Sequence, residues 1–233
     1  MARTNWEVTR EMFLDEAEVR RLVEGVRRPV RASAGRPRAI AMLDQFIVEG
    51  LLYSGLRNSE FCRLTLADTS LGHGQPAFTV VGTGEFGRTV FIPEALNRLV
   101  LRYVKEARPH FLPDGVAPDD LTQAMVFNER RQPYERTGLY RRVVKILSGA
   151  GLKDRASVQL LRHTYGYLAY LKTGGNLLFV QQQLGHAHPM VTVVYAKFVS
   201  ESYADLANLI EEIETPKAAA SKPVRRTTSS KGR

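Results

Sequence analysis

Periodic placement of apolar residues begins at Leu14, after a polar and unpatterned start. Leu14-Asp15-Glu16-Ala17-Glu18-Val19 reads as a helix opening. Asp15 suits the N-cap, and the acids of the first turn face the positive end of the helix dipole. Val19, Leu22, Val23 and Val26 then recur at helical spacing. Arg27 to Pro37, rich in Arg, Pro and Gly, is expected to be a loop. A second helix is expected from about Arg38 to Tyr53. Its interior has few polar positions (Asp44, Gln45 and Glu49), so it should be largely buried, with Ile40, Leu43, Ile47 and Leu51 on one face. Ser54-Gly55 breaks it, and Asn58 to Leu64 forms another short helix.

The period then changes. Phe78 to Val81 and Thr89 to Ile92 are β-branched or aromatic runs separated by Gly82, Gly84 and Gly87, a hairpin signature with a long turn. Pro93 ends the second strand, and Glu94 to Ala107 returns to helical spacing. After a loop at Pro109 to Asp120 the chain reads helical almost to Glu214. Breaks fall near Gly149–Lys153, Gly174–Gly175 and His186–Pro189. No internal repeat is visible. The fold class expected is mostly α with a small antiparallel β-sheet (α+β). The domain organisation expected is a flexible N-terminus over 1–11, one domain over 12–214 and a basic disordered tail over 215–233.

Composition narrows the class without naming it. At 44% hydrophobic and 24% charged the chain has enough apolar surface for a core. No apolar run approaches the ~18 residues that span a bilayer, and the first residues do not resemble a secretion signal, so a cytoplasmic protein with no membrane partner is expected. The single cysteine, Cys62, excludes an internal disulfide and a multi-cysteine zinc site. Net charge is +9, and six of the basic residues lie beyond Pro216 with no acid among them. Such a tail suits phosphate-rich partners, since exposed cations displace condensed counterions; a solvated tail that aids solubility is the alternative.

Four segments draw attention together: Tyr53-Ser54-Gly55-Leu56-Arg57-Asn58-Ser59-Glu60, Gln159-Leu160-Leu161-Arg162-His163-Thr164-Tyr165, Leu184-Gly185-His186, and Thr192-Val193-Val194-Tyr195. Tyr195 follows His186 by nine positions. Alone, each is ordinary: a surface arginine, a helix cap, a half-buried tyrosine. In this order and spacing they resemble the tyrosine recombinase, or phage integrase, family. The resemblance covers residues 12 to 214 or so and implies the family's catalytic domain. The family pattern is a Gly-Leu-Arg box, a hairpin lysine, a His-x-x-Arg-His box, a Leu-Gly-His box and a tyrosine.

The resemblance implies DNA strand cleavage and rejoining. A phenolate attacks a backbone phosphorus, and charge gathers on the two non-bridging oxygens. Arg57 and Arg162 would donate to those oxygens, as planar and permanently charged groups can. His186 would add a donor, and Tyr195 would form a 3′-phosphotyrosyl link. Arg88, Thr83, His163 and Lys197 are the further DNA contacts expected. Neither a metal nor any other cofactor is required, and no GxxxxGK loop or paired-carboxylate cluster is present in the sequence. Double-stranded DNA is the partner expected, with self-association or a partner recombinase on it. Val199 to Glu214 could dock on such a neighbour or pack on its own domain.

Three features depart from the family pattern. The turn Gly82-Thr83-Gly84-Glu85-Phe86-Gly87-Arg88 holds no lysine, and the first lysine of the chain is Lys105. Arg88 is a poor proton donor. Gln159 stands where the family has a histidine; it can hydrogen-bond a phosphate but cannot carry a proton. Lys197, a partner subunit or water would have to supply the missing proton. Lastly, a domain that begins by Leu14 leaves no room in this sequence for the family's N-terminal clamp. Two functions therefore compete: an active strand transferase of a mobile element or plasmid, and a catalytically impaired DNA-binding or accessory protein on the same fold. A type IB topoisomerase is a minor third. All rest on folding that gathers Arg57, Arg162, His186 and Tyr195 around one phosphodiester. A phenol locked in the hydrophobic interior of its own subunit, or guanidiniums on opposite surfaces, would overturn it.

Overall fold

The computed structural model describes residues 9–72, 74–82, 87–186 and 194–196. The chain divides into two units, 1–198 and 199–233, and the second lies outside the described residues. So do Thr83, Lys197, the helix expected over 199–214 and the tail over 215–233. The described elements are α1 (Glu16–Ala32), α2 (Gly35–Ser54), α3 (Asn58–Arg63), β1 (Thr69–Ser70), β2 (Ala77–Val80), β3 (Arg88–Phe91), α4 (Glu94–Glu106), α5 (Arg136–Gly149), α6 (Val158–Lys172) and α7 (Leu177–Leu184). This is the expected fold class, mostly α with a small antiparallel sheet. None of the described helices is long and apolar enough to cross a membrane.

Helix α2 is the centre. It packs against α1, α4, α5 and α6. Leu43, Phe46, Ile47, Val48, Leu51 and Leu52 are all fully buried, so apolar residues point in every direction rather than along one stripe. Its buried charge is closed locally: Glu49, 1% exposed, accepts from Arg27 at 2.8 and 2.5 Å and from Gln45 at 2.8 Å. Helix α1 is capped as its sequence suggests. The Asp15 carboxylate accepts from the Glu18 N–H at 2.7 Å, and the Glu18 carboxylate accepts from the Asp15 N–H at 2.9 Å.

Two expectations are corrected. The loop expected over Arg27 to Pro37 is mostly helix: α1 runs through Pro29 to Ala32, and α2 starts at Gly35. Val26 and Val30 extend the buried stripe, while Pro29 sits on the exposed side, where the carbonyl it leaves unpaired faces water. The helical reading of residues after Asp120 fails up to Glu135. Met125, Val126 and Phe127 are three consecutive fully buried residues, a run that fits a buried extended segment as well as a buried helix. The segment instead runs alongside Leu64 and Leu66, with Met125 N–H donating to Leu64 O at 2.7 Å and Leu66 N–H to Gln123 O at 3.2 Å.

The hairpin pairs Phe78 with Val90 and Thr79 with Thr89, and β1 adds an outer strand in the order β1-β2-β3. Its far strand, β3, packs against α7. That contact carries Arg88 to the end of the molecule where α2, α6 and α7 meet.

Candidate active site

Three helix boundaries build the site. Helix α2 stops at Gly55, whose φ of 64° is the left-handed conformation that glycine adopts freely. A Cβ there would also lie 2.5 Å from the Tyr165 ring. The chain turns back at once into α3, placing Arg57 at the N-cap. Helix α7 ends at Gly185, again left-handed at 62°, where a Cβ would press on Arg88 at 2.9 Å. Conformation thus calls for glycine at both turns, and at Gly55 the Tyr165 ring leaves no room for a side chain besides.

The last carbonyls of a helix lack partners within it and carry the negative end of its dipole. At the end of α7 three consecutive carbonyls each receive an arginine. Arg88 Nε donates to Gln183 O at 3.1 Å, Arg162 to Leu184 O at 2.6 Å, and Arg57 to Gly185 O at 2.9 Å. Arg162 also donates to Gly55 O, the end of α2, at 2.5 Å. The two box arginines, 105 positions apart in sequence, therefore converge on one point rather than facing opposite surfaces. Their exposure differs: Arg162 is 4% exposed, whereas the Arg57 side chain is 44% exposed.

Among the described residues one carboxylate serves this group of cations. Glu60 accepts from Arg88 through both oxygens at 2.8 Å, and from Arg57 through its side chain at 2.7 Å and its backbone N–H at 2.8 Å. Burial works to raise the Glu60 pKa, but the arginine hydrogen bonds outweigh it and hold the carboxyl at about 2. Glu60 belongs to the first box, yet sequence reasoning gives it no role; its place three positions after Arg57 at a helix start is the signal available. Surplus positive charge remains. Arg162 is pushed down to about 10, first by burial and then by Arg57 and Arg88. His186 is pushed down to about 4 by burial and by Arg162, Arg57, His163 and Arg88, so it is neutral near pH 7. It feels all three guanidiniums, which puts it at the same end of the molecule.

The remaining site residues lie on α6, where Gln159, Arg162, His163 and Gly166 share a face at helical spacing. Gln159 is not turned toward the arginines: its amide nitrogen lies 3.1 Å from His163 Nε2. His163, expected to touch DNA, lies against Tyr195, with Nδ1 3.0 Å from the phenol oxygen. Burial and Arg162 lower the His163 pKa. The phenol itself is 1% exposed, and its ring is enclosed with Val180 and Leu184. It lies so close to Gly166 that a Cβ there would be 2.4 Å from the ring. Burial pushes its pKa up to about 12, against the opposing pull of Arg162. The expectation of four groups around one phosphate is corrected for this residue. The phenol is stowed inside its own subunit, because a large ring gains more by packing on an apolar seat than by facing water. Its oxygen is on an imidazole, not among hydrocarbon.

The fold is that of integrase catalytic domains. XerH site-specific recombinase in a post-cleavage complex with palindromic difH substrate superposes with a TM-score of 0.66 at 22% identity, covering 85% of this chain and 53% of that one. The catalytic domain of bacteriophage HP1 integrase superposes with a TM-score of 0.55 at 21% identity, covering 87% and 96%. The profile of the phage integrase family matches residues 12–201, and the chain belongs to that family. It is similar to tyrosine recombinase XerC of Lactobacillus leichmannii, 30% identical over 161 residues (69% of this chain, 52% of the relative). It is also similar to tyrosine recombinase XerD of Yersinia pestis, 30% identical over 168 residues (72% and 54%). The chain spans about half the length of the curated relatives it matches.

Proposed function

We propose that this chain cuts and rejoins DNA strands in site-specific recombination through a transient 3′-phosphotyrosyl link to Tyr195. One observation carries the reading: three guanidiniums and His186 converge on the end of α7 with one carboxylate among them in the described residues. That cluster is short of an anion. Arg57 and Arg162 now donate to backbone carbonyls, and a phosphate would accept more strongly from the same hydrogens. Family membership sets the expectation that the anion is a DNA phosphodiester, and the solved relative XerH is a recombinase bound to its difH substrate. In this reading Arg57 and Arg162 bind the non-bridging oxygens and His186 adds a neutral N–H donor. Arg88 and Glu60 brace Arg57, while Thr83, Lys197 and the basic tail contact DNA outside the described residues. Residues 12–214 act as the catalytic domain, on duplex DNA and beside a second recombinase subunit.

The stowed phenol bears directly on this reading. Either a phenol locked in the hydrophobic interior or opposed guanidiniums would overturn it. The ring is interior, but its oxygen lies 3.0 Å from His163 Nδ1 rather than among hydrocarbon, and the guanidiniums share one site. Cleavage therefore requires Tyr195 to leave its seat when DNA arrives. Leaving also removes the burial that holds its pKa at about 12. The second reading, a DNA-binding accessory protein with no cleavage, is favoured by that same burial.

The test is a covalent-capture experiment. A pool of nicked duplexes of randomised sequence, labelled on the strand to be cut, is incubated with the protein and resolved under denaturing conditions. A strand transferase yields a covalent protein–DNA adduct, absent with Tyr195→Phe although that variant still retards the same duplexes. No adduct at long times, with a partner recombinase included, together with retained binding, identifies the accessory protein.

A further inference from the structure

We propose that His163 is the base that takes the proton of Tyr195 during strand cleavage, and that Gln159 positions it. This inference deepens the strand-transfer reading and rests on it. The described part of the site offers abundant hydrogen-bond donors for a phosphate but few groups that exchange a proton at ordinary pH. Arginine does not, and Gln159, standing where a histidine is usual, cannot. Nucleophilic activation has a recognisable geometry: a nucleophile within hydrogen-bond reach of a base, and the base oriented by a third group. Tyr195 Oη, His163 Nδ1 and the Gln159 amide form that series, at 3.0 Å and 3.1 Å. Among the described residues, His163 is the hydrogen-bond partner of the phenol oxygen.

The parts are placed by secondary structure. Gln159 and His163 are one helical turn apart on α6, so the amide lies over the outer edge of the ring. Gly166 follows on the same face, and its missing Cβ is what lets the phenol approach that side of the helix. The glutamine amide presents either nitrogen or oxygen to Nε2 after a half-turn about its last bond. With the oxygen facing Nε2–H, Nδ1 carries a lone pair toward the phenol. The same oxygen then accepts from the imidazolium after the proton has moved. Glutamine thus serves both protonation states of the ring without itself changing charge.

In the step proposed, the ring leaves its seat with Oη still within reach of His163. The phenol O–H bond breaks toward Nδ1 and its electron pair stays on Oη, which forms the bond to phosphorus. The P–O5′ bond breaks, its pair leaves with O5′, and O5′ takes a proton from water, which departs as hydroxide. On rejoining, the 5′ hydroxyl attacks phosphorus and gives its proton to solvent hydroxide. The phenol oxygen then recovers its proton from His163. The charged and titratable groups around His163 are Arg162 on its own helix, Tyr195, and His186 beyond the end of α7. Burial and Arg162 both favour the neutral imidazole. The base is therefore in its accepting form near neutral pH and is lost as pH falls through its lowered value.

The experiment measures single-turnover adduct formation against pH on a nicked duplex recovered from the random pool, for wild type, His163→Ala, His163→Asn and Gln159→Ala. Asparagine keeps a polar group at the site but carries no proton. Both His163 variants are expected to cleave ~10²–10⁴-fold more slowly, to lose the acid limb of the wild-type profile, and to regain rate with added imidazole. Gln159→Ala is expected to cleave more slowly, with the acid limb displaced rather than abolished. Retardation of the same duplex and thermal melting identify any variant that fails to fold, and His163→Asn guards against that for His163→Ala. Wild-type rates or an unchanged pH profile in a folded His163 variant overturn the proposal. Faster cleavage also overturns it and makes the contact a latch on the nucleophile. Absence of any wild-type adduct instead fails the strand-transfer reading itself. A nitrogen-15 spectrum of the histidine rings separates the two failures: Tyr195→Phe is expected to shift His163 Nδ1 whether or not DNA is cut.

Discussion

The interior around α2 and the polar end at α7 handle buried charge in opposite ways. Around α2 the charges balance: Glu49 is matched by Arg27 and Gln45, and the surrounding volume is hydrocarbon. At the end of α7 three guanidiniums share Glu60, and their remaining hydrogens fall on backbone carbonyls. Burial first, and then the gathering of like charges from Arg57 and Arg88, lowers Arg162 to about 10. A helix end tolerates this because its carbonyls carry partial negative charge, but they are weaker acceptors than an anion. The first region is complete in the isolated chain. The second keeps a surplus of positive charge, the ground for proposing that an anion binds there.

The sharpest way to break this contrast is to damage each region and ask what is lost. Phe46 is fully buried in α2, stacked on Tyr103 at 4.5 Å and tilted against Phe61 at 5.4 Å. Phe46→Ala is expected to destabilise the chain by ~3–5 kcal/mol in urea unfolding, leaving cleavage per folded molecule unchanged. Arg162→Lys is expected to do the reverse. A lysine cannot reach both Gly55 O and Leu184 O with a planar fork, and adduct formation is expected to fall ~10²–10³-fold, as on loss of one transition-state donor. Its stability change is expected to stay under ~2 kcal/mol, because lost hydrogen bonds are offset by relief among the cations. If Arg162→Lys instead unfolds the chain as Phe46→Ala does, the two regions are not different in kind.

Glu60 tests the same point through pH. Its carboxyl is lowered from 4.5 to about 2, so the charged form is favoured by folding. Stability from this group is present above its unfolded value, and it is lost as pH falls from about 4.5 toward about 2. The loss is on the order of 3 kcal/mol as an upper figure. Glu60→Gln is expected to flatten that limb of the acid-unfolding curve. At neutral pH it should strengthen anion binding to the cluster while loosening Arg57.

How much of this is legible in the sequence follows from what each region is made of. Helices α2, α4 and α6 are readable because their burial is periodic or total, and the turns at Gly55 and Gly185 because glycine is the residue present. The extended course of Met125 to Phe127 is not, since a short apolar run has no period of its own and the partner segment is about sixty positions away. In the site, Arg57, Arg162 and His186 stand out in short segments, and they do share one end of the molecule. The contacts of Gln159 and His163 within the molecule are not legible in the sequence, for a physical reason. A side chain's partner one helical turn away on α6, and a phenol arriving from 32 positions on, depend on rotamers and packing that spacing does not encode.

The seat of Tyr195 gives a smaller effect of unusual sign. Replacing a helical glycine by alanine ordinarily stabilises by ~0.5–1 kcal/mol. At Gly166 the new methyl would enter the phenol ring, 2.4 Å from it. Gly166→Ala is therefore expected to destabilise by ~1–2 kcal/mol and to expel the ring. Expulsion is measured as faster nitration of Tyr195 by tetranitromethane. Stabilisation with no change in nitration would mean that the seat yields without releasing its occupant.

The mildest test lies far from the site in chemistry but on the same chain. Asp15 closes a reciprocal cap on α1, accepting from Glu18 N–H and receiving Glu18 in return, and the adjoining Leu14 N–H donates to Thr164 on α6 at 2.9 Å. Asp15→Ala removes one acceptor for a helix-end donor and is expected to cost ~1 kcal/mol. For a chain of this size that lowers the melting temperature by ~2–4 °C. If α1 merely braces the core, cleavage and its pH profile stay as in wild type. A change in the acid limb of cleavage would show instead that the cap reaches His163 through Thr164 and α6, so that the closed interior and the open site are coupled by one helix.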